Sequence, residues 1–190
     1  GEWIRIRLGD TAQGSPGIRL QTFCESSFEF RTAVDVFSTN AFISLPSPKI
    51  SLVSGPRDSW KAIIPTLRKE GEEFDLQIRA EDKWGNLSDK ADCTLYFKPS
   101  RAIKGLPSSF KINKGKRGYM IRGLRAHELN QDQGRFKDSI VHIDIYDSES
   151  NFLTKTNPLI LKAGAESPFK HFWGDMHGQS EETLGTNSAE

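Results

Sequence analysis

The most constraining feature of this sequence is a hydrophobic period of two. In residues 3–8, Ile4, Ile6 and Leu8 fall on one face and Trp3, Arg5 and Arg7 on the other. Phe28, Phe30, Thr32, Val34 and Val36 share a face, as do Phe74, Leu76, Ile78 and Ala80. Val141, Ile143 and Ile145 alternate with His142 and Asp144. Successive side chains of a strand point to opposite faces of its sheet. The pattern therefore predicts half-buried strands of antiparallel sheets. Shorter strand candidates occupy residues 18–23, 50–53, 60–64, 93–97, 119–121 and 159–161. Only residues 124–131 are expected to form a short helical turn.

Turn chemistry separates these runs. Gly14-Ser-Pro-Gly17, Gly55-Pro56, Gly71, Trp84-Gly-Asn86, Gly105-Leu-Pro107 and Asn113-Lys-Gly-Lys116 punctuate the alternation. Many short strands at fairly regular spacing predict a mainly β chain with an Ig-like antiparallel β-sandwich. Leu45-Pro-Ser-Pro48 interrupts the strand pattern, and Ala163-Gly-Ala-Glu-Ser-Pro168 precedes a shift to aromatic and His-rich sequence. Three regions are expected: an N-terminal strand region over 1–46, a sandwich over 47–163 and a different C-terminal region over 164–190.

Apolar residues make up only 36% of the 190, but 12 Phe and 4 Trp supply large buried areas. The net charge of +1 names no partner, and no apolar run is long enough for a membrane helix. Gly1-Glu-Trp-Ile-Arg-Ile-Arg7 carries neither a secretion-signal pattern nor an initiator methionine. The chain is therefore expected to be part of a longer polypeptide. A cytoplasmic setting is the first expectation, with export left open. Cys24 and Cys93 lack metal-ligand spacing and are expected to be two buried thiols, with one disulfide as the alternative in an exported protein.

Chemistry concentrates in the C-terminal run His171-Phe-Trp-Gly-Asp175-Met-His177-Gly-Gln179-Ser180. On a strand, Trp173, Asp175, His177 and Gln179 would share a face. Ligands at i and i+2 can meet a metal on a barrel axis from the C-terminal end of one strand. Imidazole suits zinc, iron or manganese, and a neighbouring carboxylate can ligate or orient it. His171 is six residues from His177, about 20 Å along a strand, too far to share a metal without a bend.

This run resembles the opening motif of the PHP (polymerase and histidinol phosphatase) superfamily, whose members usually begin Asp-x-His-x-His. The chain as a whole resembles an uncharacterised bacterial family. In that family a β-sandwich region leads into a PHP-like barrel through Trp-Gly-Asp-Leu-His-Gly-Gln-Ser. The matching stretches are residues 3–10, 16–23, 30–42, 76–86 and 172–188. The resemblance implies that residues 164–190 begin a PHP-like metal-hydrolase domain, with His177 a metal ligand and Asp175 its neighbour. Gln179 stands where the second histidine is usual, and a neutral amide oxygen is a poorer zinc ligand than imidazole.

The implied parent is a metal-dependent hydrolase of phosphoester type, using zinc, manganese or iron on a small-molecule substrate. The 190-residue chain is expected to be inactive and to hold no metal. No nucleic-acid or membrane partner is expected, and homo-oligomerisation stays open. The alternative is a non-enzymatic Ig-like binding module.

Three further signals have bland readings. Residues 98–125 hold nine basic residues (Lys98, Arg101, Lys104, Lys111, Lys114, Lys116, Arg117, Arg122 and Arg125) and no acidic one. A solvated hairpin protecting a sheet edge is preferred to an anion-binding patch. Asp82, Asn86 and Asp89 lack the order of a calcium loop and read as turn formers. His127 and His142 are isolated, and His142 is expected to face solvent.

Overall fold

The structure is a computed structural model and describes residues 5–127 and 140–162. The described chain is all β, as the alternation predicts, with no helix among the described residues. Two small paired elements come first. Strand β1 (Glu25–Glu29) pairs with β4 (Lys49–Leu52), and β2 (Ala33–Val34) pairs with β3 (Ile43–Ser44), both antiparallel.

Two four-stranded antiparallel sheets follow. One has the order β5 (Ser59–Ile63), β7 (Glu73–Glu81), β11 (Tyr119–Ala126), β9 (Ile103–Lys104). The other runs β10 (Ser109–Ile112), β8 (Cys93–Pro99), β13 (Ile143–Tyr146), β14 (Phe152–Lys155). A three-stranded sheet orders β12 (Ile140–Val141), β15 (Leu159–Lys162) and β6 (Leu67–Lys69), with β15 and β6 parallel.

The core is built from the predicted alternation. Phe74, Leu76, Ile78 and Ala80 of β7 are all buried, and so are Val141, Ile143 and Ile145. Leu95, Ile112, Ile121, Leu124, Leu159 and Trp60 complete a cluster drawn from all three larger sheets. Burying each aliphatic side chain contributes about 1.5–3 kcal/mol. This shared core, more than any single ladder, holds the sheets together.

Two strands change sheet at one point. The chain leaves β12 at His142 and enters β13 in a different sheet, and it leaves β14 at Thr156 to enter β15. At this crossing Ile143 N–H donates to Thr156 Oγ1 at 3.0 Å, and Thr156 N–H donates to the Ile143 carbonyl at 3.0 Å. The next residue, Asn157, accepts from Ile64 N–H at 3.0 Å and donates to the Ile64 carbonyl at 2.7 Å. Its amide thus imitates a strand neighbour just beyond β5. Thr156 and Asn157 together tie the two four-stranded sheets through backbone groups that no ladder serves.

Several sequence expectations are corrected. Residues 5–8 and 18–23 are not strands. Gly9, Gly14 and Gly17 all have positive φ, and the Asp10 carboxylate takes the Ala12 N–H. These turns win over the local alternation, and Ile6, Leu8 and Ile18 stay exposed. Residues 28–36 form two short strands rather than one. Pro46 and Pro48 of the facing segment have no N–H to donate. The Thr32 N–H turns instead to Ser47 Oγ at 2.9 Å, and the Thr32 hydroxyl to the Phe30 carbonyl. The helical turn fails where it can be read, because residues 124–126 lie in β11. Both cysteines are free; Cys24 is exposed and Cys93 half-buried, so they are not two buried thiols.

Candidate functional site

The residues singled out for metal chemistry, Asp175, His177 and Gln179, lie outside the described residues, as does His171. Among the described residues no three His, Cys, Asp or Glu side chains gather as a metal site would require. His127 is 3.8 Å from Glu70 and belongs to no larger cluster of potential ligands. His142 is half-buried at the sheet crossing rather than fully solvent-facing.

The densest polar constellation is built on Asp82, at the end of β7. Its residue is only 4% exposed. Oδ1 accepts the N–H groups of Trp84 (2.9 Å) and Asn86 (3.0 Å), and Oδ2 accepts that of Gly55 (2.9 Å). The Asn86 amide donates to both carboxylate oxygens. Burial pushes the Asp82 pKa up, but the donors from Gly55, Asn86 and Trp84 outweigh it and hold it at about 2. The carboxylate is spent on donors, as the turn-forming expectation holds, and Asp89 does not join it.

Asn86 extends this turn to the N-terminal segment. Its Nδ2 donates to the Thr22 carbonyl at 2.8 Å, and its Oδ1 accepts the Cys24 N–H at 3.0 Å. The amide again pairs like a peptide group and seats residues 22–24 beside the β7 turn. Between them lies a groove of about 610 Å³ whose walls include Phe23, Val53, Arg57 and Trp84. Trp84 is 52% exposed at the tip of the turn, with Lys83 Nζ 5.0 Å from its ring centre. A cation and an exposed ring on one rim suit a flat or anionic ligand.

A second copy of this turn closes the β13–β14 hairpin. Asp147 Oδ1 accepts the N–H groups of Glu149 and Asn151, and Asn151 Nδ2 donates to Oδ2 at 3.0 Å. Both copies bond the N–H of the fourth residue to the first carbonyl, and the first N–H to the fifth carbonyl. The fourth residue has positive φ in each, Gly85 at 83° and Ser150 at 65°. This is the three-residue hairpin loop with a left-handed residue at a bulge. Its signal, Asp-x-x-x-Asn after an alternating strand, stood in the sequence twice as Asp82…Asn86 and Asp147…Asn151. Sequence reasoning singled out the first and overlooked the second.

The basic run is not a single hairpin. Strands β8 and β10 belong to one four-stranded sheet, and β9 and β11 to the other. Lys111 pairs with Asp92 at 3.3 Å, and Arg125 with Glu73. The edge-protecting part of the expectation fits, since β9 and β10 are edge strands of their sheets. Lys61 and Arg79 line one cavity with Arg117, and sequence reasoning missed that grouping because β5 and β7 supply two of the three. Comparison with protein-family models and with curated proteins gives no match to this chain.

Proposed function

We propose that the described β region is an accessory module of a PHP-like metal-dependent hydrolase of phosphoester type. The observation that carries this reading is the run Trp173-Gly-Asp175-Met-His177-Gly-Gln179-Ser180. In this reading the four-stranded sheets make an Ig-like sandwich over residues 47–163, residues 1–46 form the N-terminal strand region, and residues 164–190 open the catalytic domain. His177 would hold a divalent metal, zinc, manganese or iron, with Asp175 beside it and Gln179 as a weak or absent ligand. Such a metal would supply a water nucleophile and polarise the phosphorus centre. Further ligands would have to come from other strands, since a catalytic zinc needs at least three from the protein.

The test uses the longest natural polypeptide containing this sequence, assayed for bound metal and phosphoesterase turnover. The expected result is turnover with manganese or zinc, and loss of both metal and turnover in His177→Ala. Retention of metal and full activity in that variant would sink the assignment. Robust turnover by the 190-residue chain alone would refute the accessory role.

The second reading, a non-enzymatic binding module, is favoured by the exposed Trp84 ring on the groove beside Phe23 and Arg57. It predicts that Trp84→Ala abolishes retention on an immobilised ligand without changing turnover of the longer polypeptide.

A further inference from the structure

The outer face of β5, β7 and β11 breaks a rule of sheet construction. Lys61 and Arg79 are directly opposed partners on neighbouring antiparallel strands, and like charges so placed destabilise the pair. Arg79 is drawn to Glu81 at 2.8 Å. Lys61 has no such partner among the described residues. Arg117 brings a third cation to the same cavity, of about 320 Å³. Ile63, Leu87 and Met120, all partly exposed, give it an apolar surface. Local violations of this kind mark places where a fold serves something other than its own stability.

Gly118, just before β11, sharpens the point. Its backbone is not in the left-handed region. A Cβ there would meet only the Ile78 carbonyl oxygen, at 4.0 Å. Neither conformation nor packing requires glycine at this position, and the missing side chain keeps the cavity wall open.

We propose that this cavity binds a small amphiphilic anion, an aryl or alkyl phosphate monoester. The apolar group lies on Ile63, Leu87 and Met120, and the phosphate sits among Lys61, Arg79 and Arg117. Three cations and the Glu81 carboxylate leave two positive charges. A phosphate monoester dianion neutralises both, whereas a sulfate monoester or carboxylate neutralises one. Arginine adds paired donors suited to phosphate oxygens. The inference does not depend on the hydrolase reading, because it concerns binding and uses only described residues.

The experiment is calorimetric titration of the 190-residue chain, at low salt and pH 7.5, with 1-naphthyl phosphate, 1-naphthyl sulfate, 1-naphthol and inorganic phosphate. Naphthyl phosphate is expected to bind at least about tenfold more tightly than each of the others, the scale of one charge-assisted hydrogen bond. Lys61→Glu is expected to lower that affinity at least about tenfold while raising the melting temperature, because it removes the opposed like charges. Arg117→Gln lies in a loop and should weaken binding with the melting temperature unchanged. Gly118→Val should block the cavity. Equal affinity for naphthol, or unchanged affinity in Lys61→Glu and Arg117→Gln, would overturn the proposal. If Gly118→Val does not fold, Arg117→Gln decides.

Discussion

Asn157 is the sharpest place to test the account of this fold. Its amide makes two hydrogen bonds to one residue, accepting from Ile64 N–H at 3.0 Å and donating to the Ile64 carbonyl at 2.7 Å. Substitution to Asp keeps the size and the acceptor but replaces the donor by an oxygen that faces a carbonyl. The bond to the Ile64 carbonyl and a longer one to the Pro158 carbonyl at 3.3 Å are lost and the acceptors repel, so the expected cost at pH 7 is about 2 kcal/mol. Protonation of the new carboxyl restores the donor. A cost of about 2 kcal/mol corresponds to a folded-state pKa raised by roughly 1.5 units above the unfolded value near 3.9. The penalty is then complete above about pH 5.5 and disappears as pH falls toward about 4. Asn157→Leu, which can do neither, should cost about 2 kcal/mol at both values. Urea unfolding of the parent chain and both variants at pH 7 and pH 4, followed by tryptophan fluorescence, measures the differences. The same penalty for Asn157→Asp at both pH values, or one below about 0.5 kcal/mol at pH 7, would refute the idea that this amide bridges the sheets by paired hydrogen bonds.

Other consequences follow from the crossing and the two Asp turns. Thr156→Val preserves shape but leaves the Ile143 N–H without its acceptor, and should cost about 1–3 kcal/mol in thermal unfolding. Gly85 has φ of 83° and open space where a Cβ would stand, so Gly85→Ala should cost about 1 kcal/mol from backbone conformation alone. The reciprocal change, Ser150→Gly, should stabilise the second turn by about 0.5–1 kcal/mol in urea midpoint measurements. Asp82 is held at about 2, below its model-peptide range. Its stabilisation is therefore complete above about pH 4 and is lost as pH falls through about 2. Asp82→Asn should flatten the acid limb of a stability–pH curve between those values, and an unchanged limb would count against the carboxylate hub.

Legibility differed by region for identifiable reasons. The strand around Leu76 and Ile78 was readable because its alternation coincides with full burial on one face. The run at Ile6 and Leu8 had the same alternation, yet the neighbouring glycines and the Asp10 turn prevail, and both side chains stay exposed. The split of residues 28–36 was foreshadowed by Pro46 and Pro48, but only the pairing shows that those prolines face Thr32. The candidate metal residues were legible solely as a sequence motif.

Periodicity and turn chemistry were enough to establish a mainly β fold for the described residues, the core faces of its long strands and the turn-forming role of Asp82. These are local properties, set by the two-residue repeat of a strand and by donors within a few positions of a side chain. Which strands pair, where two of them change sheet, and that Lys61, Arg79 and Arg117 share one cavity were decided by tertiary structure. Each depends on contacts between residues far apart in the chain, which a single sequence pattern does not encode.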